Sequence, residues 1–176
     1  TLLVTRVTPG PFSQATSSYI ATGSHAGTTI ADDVSPFTLA TLAEGNIMNS
    51  TSSAAGTPIG GNGTLPSGSA DNFRWEIASP STSSGVFSLL LRQGNDTQTS
   101  KAVVETYSNL SLDPLAPNYI SKVIGDQVQT VRGTGTDVYL QSSGSYPNAS
   151  RFIRVSAVNA QTPKYFNNAG TPKDIF

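Results

Sequence analysis

The clearest pattern along the chain is a strict alternation in residues 73–78, FRWEIA. Phe73, Trp75 and Ile77 face one way, and Arg74, Glu76 and Ala78 the other. Such alternation predicts a half-buried strand with one apolar face, on which Trp75 is buried. Residues 85–92 (GVFSLLLR) put Phe87, Leu89 and Leu91 on one face, and 101–107 (KAVVETY) set Val103, Glu105 and Tyr107 against Ala102, Val104 and Thr106. Between these two runs, Gly94-Asn95-Asp96 has hairpin-loop chemistry. Residues 73–107 are therefore expected to form an antiparallel three-stranded meander.

Other runs are shorter. TLLVTRV at 1–7 reads as a strand that stops at Pro9-Gly10-Pro11. Short strands are expected near 18–22 and 28–31, and at 36–42 (PFTLATL), where Phe37, Leu39 and Thr41 share a face. Residues 44–70 have several glycine turns and few apolar positions, which predicts a mobile loop. The period changes at 117–125: Ile120, Val123 and Ile124 share a helical face, with Pro117 in the first turn and Gly125 as the stop. Residues 137–141 and 151–158 read as strands around a loop with Gly144, Pro147 and Asn148. The tail from Thr162 contains two Pro-Lys turns and fits no element, and no internal repeat is present. The fold class expected is α+β, predominantly β: an antiparallel meander with a short helix near 117–125, in a single domain spanning 1–176.

Composition narrows the function. Charged residues are 12% of the 176, about half the ~25% usual in soluble domains. Ser and Thr make up roughly a quarter, and the net charge is -1. That balance gives no electrostatic footprint for nucleic acid or an anionic membrane. There is no Cys and one His, which excludes disulfides, thiolate metal sites, a cysteine nucleophile and multi-histidine metal sites. No apolar run approaches the ~20 residues of a membrane helix. The opening TLLVTRV lacks the n- and h-regions of a signal peptide. A first residue other than Met fits processing or a piece of a longer chain.

The candidate chemistry is thin. His25, in Gly23-Ser24-His25-Ala26-Gly27, has Asp32 and Asp33 nearby, but His occupies the place where a nucleophile elbow needs Ser. A loop or surface histidine is the favoured reading. Adjacent carboxylates on a strand point to opposite faces, so Asp32-Asp33 reads as a solvated turn rather than a glycosidase pair. Asn95-Asp96 could suggest calcium, but no D-x-D-x-D-G loop exists. The Gly-rich pieces at 60–63 and 133–135 match no nucleotide motif. Arg151 and Arg154 beside Phe152 read as rim charges rather than a single-strand binding face. Sequons at Asn49, Asn62, Asn95, Asn109 and Asn148 exceed the roughly three expected by chance by too little to imply secretion. An alternative function, a secreted or virion β-sandwich binding carbohydrate or acting as an adhesin, would need Trp75, Tyr139 and Tyr146 on an exposed face.

Residues 105–126, ETYSNLSLDPLAPNYISKVIGD, carry more information. They read as a strand end, an Asp-Pro turn and a short amphipathic helix, with Leu110 and Leu112 anchored in the core and Ser111 facing out. The pattern Glu105-x-Tyr107-x-Asn109-Leu110-Ser111-Leu112-Asp113-Pro114, then Asn118-Tyr119-Ile120 and Ile124-Gly125, resembles the tail sheath proteins of contractile-tailed bacteriophages. LLVTRV, PFTLATLAEGNIMN and GVFSLLLRQGNDTQTSKAVVETY are similar to flanking pieces of that family in the same order.

The resemblance implies a structural subunit, not an enzyme, with no cofactor, metal or catalytic residue. Its partners would be other copies in rings or a helical array, the tail tube protein and the baseplate, with no nucleic acid and no membrane insertion. It would assemble in the host bacterial cytoplasm, reside in the virion and contract during infection. The family's contacts are made partly by exchanged strands, a form of β-augmentation. Sheath subunits are longer, so the chain is expected to correspond to the middle part of one. The lack of Cys suits a reducing cytoplasm.

Overall fold

The computed structural model describes residues 14–16, 36–43, 45, 47–49, 68–97, 99–159 and 161–173. Among them are nine strands and one short helix, giving an α+β, predominantly β fold. The strands are β1 (Gln14–Thr16), β2 (Phe37–Thr41), β3 (Ile47–Asn49), β4 (Phe73–Ser81), β5 (Val86–Gln93), β6 (Val103–Ser111), β7 (Val128–Arg132), β8 (Tyr139–Ser143) and β9 (Ile153–Val158). The helix, α1, is Ile120–Ile124.

The expected meander is present as β4-β5-β6, antiparallel, with β3 added in parallel beside β4. A second sheet has the order β1-β2-β9, also antiparallel. β7 and β8 form a separate two-stranded ribbon. The first two sheets share one apolar core. Phe37 of β2 lies 5.6 Å from Trp75 and 5.8 Å from Phe87, measured between ring centroids. Leu39, Ile153 and Val155 from one sheet join Leu89, Leu91 and Leu110 from the other. Ile120 and Ile124 close the core with the face that the 3.6-residue period placed there, and Val123 packs against it.

Several expectations change. β3 falls inside the stretch expected to be a loop, because three residues suffice to extend the edge of β4. β2 is buried along its whole length, since β1 and β9 flank it and both its faces are covered. The helix is shorter than 117–125. The Asn118 carbonyl accepts from the Ser111 amide at 2.9 Å, and Tyr119 bridges to Ser111, so this backbone is still paired as strand. At the other end Gly125 takes φ 105°. A Cβ there would sit 2.3 Å from Cα of Asn148, so the stop position requires glycine on two counts. β1 and β7 were not anticipated: β1 lies in a polar stretch, and β7 (VQTVR) has too weak an alternation to stand out. The first-strand reading at 1–7 and the short strands near 18–22 and 28–31 lie outside the described residues.

Candidate functional site

The motif strand ends in a bulge. Asn109 has φ 56°, and the register with β5 shifts there, between the Phe87–Leu110 and Leu89–Tyr107 pairs. The Asn118 side-chain amide donates to the Asn109 carbonyl and stabilises this bend. Leu110 and Leu112 are buried, as their spacing suggested. Ser111 is buried too, contrary to the expectation that it faces out. The bridge to Tyr119 covers it, and its hydroxyl accepts from the Asp113 amide at 3.0 Å. Asp113 then closes an Asx turn: Oδ1 accepts from the Leu115 amide at 2.9 Å, and Pro114 sits inside the loop. Lys122 reaches back from α1 and donates to the carbonyls of Pro114 and Ala116, both at 3.1 Å.

Three carboxylates of this stretch share one task. Each accepts a hydrogen bond from a backbone N–H of the C-terminal segment. Glu105 takes the Arg151 amide at 3.0 Å and the Ser150 hydroxyl at 2.6 Å. Asp113 takes the Lys164 amide at 3.0 Å through Oδ2. Asp126 takes the Tyr146 amide at 2.7 Å. Between the first and last of these, Asn148 pairs with both the N–H and the C=O of Gln127, at 3.0 and 2.7 Å. Tyr107 donates to Glu105 at 2.9 Å. Burial, with the Glu105 carboxylate beside it, pushes the Tyr107 phenol up to about 12. Tyr119, Ile120 and Gly125 complete the set: Tyr119 stacks edge-on to Tyr146, and the Gly125 carbonyl accepts from Val155 of β9 at 2.8 Å. The motif residues are thus pegs and anchors that join the meander to the C-terminal segment around β9.

A second polar cluster lies on the opposite face of the meander. Arg74 and Arg92 face each other directly across β4 and β5, and both are fully buried. Directly opposed like charges destabilise a sheet unless something bridges them. The loop after β5 folds back and inserts Asp96 between them. Arg92 makes a bidentate pair with it at 2.6 and 2.9 Å, and Arg74 Nε lies 3.2 Å away. Arg74 also donates to the Gly94 and Asp96 carbonyls. Glu76 adds Arg92 at 2.7 Å and Lys101 at 2.6 Å. Burial pushes the Glu76 carboxyl up, but Lys101 and Arg92 outweigh it and hold it below the ordinary carboxylate range. Burial also opposes the charge on Arg92, and its bonds to Asp96 and Glu76 raise it again. Desolvation prevails at Arg74, whose guanidinium is lowered and whose Nη1 has no hydrogen-bond partner among the described residues. At Arg74 and Trp75 β4 is therefore covered on both faces, while the rest of the strand is half-buried or exposed. Its outward-reading arginine is missed by pattern alone. Two arginines in adjacent strands of a chain with few charges were the available signal.

The remaining candidates separate. Asp96 is committed to arginines, which removes it from the calcium reading. Trp75 is buried as expected, and Tyr146 packs on Tyr119, so among the three aromatics proposed for a carbohydrate platform Tyr139 alone is mostly exposed. Arg151 lies over the Phe152 ring at 5.8 Å. His25, Asp32, Asp33 and the glycines at 60–63 lie outside the described residues. Among the described residues no group of three or more His, Cys, Asp and Glu could hold a metal ion, and no helix is long and apolar enough to cross a membrane. Comparison of the chain with protein-family models, curated proteins and solved structures finds no match.

Proposed function

We propose that the chain is part of a structural subunit of a contractile phage tail sheath. It assembles with copies of itself around the tail tube, meets the baseplate at one end and contracts during infection. The observation that carries this reading is the role of residues 105–126. The residues that resemble the sheath family anchor the motif strand in the core, form the Asp-Pro turn and its bulge, and pin the C-terminal segment through Glu105, Asp113 and Asp126. Residues with such roles are ones a family of structural subunits has reason to keep, because changing any of them unpins two parts of the fold at once. The neutral, Cys-free composition supports assembly of many copies in a reducing host cytoplasm.

The test is electron microscopy of the full chain, alone and mixed with tail tube protein. Stacked rings or hollow tubes in either sample support the reading. Dispersed particles in both samples, at high concentration, would overturn it and direct attention to glycan binding.

A further inference from the structure

Among the described residues the β7–β8 ribbon has no partner element. Among the described residues neither strand packs against a strand outside the pair or against the helix, and residues 131–145 are exposed throughout. Val131 and Leu140 pair directly across the ribbon and are 62% and 65% exposed, with Val138 and Tyr139 beside them also more than half exposed. An isolated two-stranded ribbon is at best marginally stable in water. Its tip, Gly133-Thr134-Gly135-Thr136-Asp137, is small and ends in a carboxylate that makes no hydrogen bond or ion pair among the described residues.

A surface of opposite character lies at the other end of the chain. A groove of about 500 Å³ is lined by Lys164, Phe166, Asn167, Asn168, Ala169 and Lys173, none of them from the ribbon. Phe166 is 43% exposed at its wall. Asn167 is occupied in shaping the turn, through bonds to Ala169 and Thr171. The Lys164 ammonium and the Asn168 amide have no partner among the described residues. Asp113 joins this groove to exposed Leu115, since its two oxygens accept from the Leu115 and Lys164 amides.

We infer that the ribbon tip of one copy docks in the C-terminal groove of the next copy, with Asp137 against Lys164 and the apolar pair against Phe166 and Leu115. Charge and polarity are complementary: the tip brings a lone carboxylate and apolar side chains, and the groove brings cationic heads and an aromatic wall. At the ~30–40 Å² per residue of specific interfaces, the groove residues together with Leu115 would bury roughly 250 Å² on their side, a small contact. That modest size suits a contact repeated in every copy. Because the two surfaces differ, the contact is heterologous and propagates into rings or filaments. This inference rests on the self-assembly reading proposed above.

The chain has no Cys, so engineered disulfides report the contact directly. Thr136→Cys and Asn168→Cys, both exposed, are made in separate full-length chains, mixed and oxidised. The mixture is expected to cross-link at least about tenfold more than either variant alone, and the double variant to give a ladder of multimers. Asp137→Lys, combined with Thr136→Cys, lowers the yield about tenfold, and Lys164→Asp in the partner chain restores it. Rings or tubes by microscopy with no mixed cross-link would overturn the contact and leave the sheath reading standing. Cross-linking of Thr136→Cys only with itself would overturn it in favour of a two-fold ribbon contact. Absence of both cross-links and higher-order particles would overturn both proposals.

Discussion

In the β4–β5 pair, Arg74 and Arg92 stand directly opposite each other and are fully buried; in the β7–β8 ribbon, Val131 and Leu140 stand directly opposite each other and are mostly in water. The usual assignment of residue types is inverted in both places. What differs is the covering. The loop after β5 turns back over its own sheet and supplies Asp96, two carbonyls and a roof. The loop joining β7 to β8 turns at its tip and covers no other described element. Burial in this fold is decided by what the connections do as well as by the strands themselves.

The largest effect expected from breaking this contrast is at Asp96. Asp96→Ala leaves two guanidiniums buried without their bridge and should cost about 3–5 kcal/mol in chemical denaturation. A loss below about 1 kcal/mol would mean that solvent reaches the pair. Trp75→Ala, on the apolar face of the same strand, should also cost about 3–5 kcal/mol, partly offset by removal of an indole N–H that has no partner among the described residues. Comparable losses from the two variants would establish that both faces of β4 are core.

Gly125→Ala combines a positive φ with a steric clash against Asn148 and should cost about 1–3 kcal/mol. Protection of the Ala149 and Ser150 amides, both bonded to the Ile124 carbonyl, should fall in hydrogen exchange. Glu76 predicts a pH effect of known sign. Its folded-state pKa is lowered, so its contribution is present above its ordinary value of 4.5 and is lost as pH falls through the folded value. Glu76→Gln should flatten that acid limb of the stability profile; an unchanged limb would mean that its ion pairs do not persist in solution. The smallest effect belongs to the ribbon: Leu140→Thr should change the stability of the isolated chain by less than about 0.5 kcal/mol. A larger loss would show that Leu140 is covered within a single molecule.

The legible parts of the fold were those where period and burial agree. Trp75, Leu89 and Leu91 alternate into the core, and Ile120 and Ile124 share the inner face of a helix. The meander and the Leu110–Leu112 anchor were readable for the same reason. Arg74 was not, because alternation reports which face a side chain takes and not whether a distant loop will cover it. Ser111 was misread because its cover comes from the Tyr119 bridge, a tertiary pairing. Within the motif the residue types were visible, but the purpose of Glu105 and Asp126 was not. Their partners are backbone amides, which carry no mark in the sequence.

The pairing of β2 with β9 has a consequence for synthesis. Phe37 pairs with Val158, and Glu105 waits for Ser150 and Arg151. While the chain emerges from the ribosome, the meander can form early from neighbouring strands, whereas β2 has no β9 to pair with until Ile153–Val158 have been made. Such long-range closure is slow and leaves an open strand edge on the nascent chain. A cell making this protein would therefore face a marked aggregation hazard just before β9 arrives.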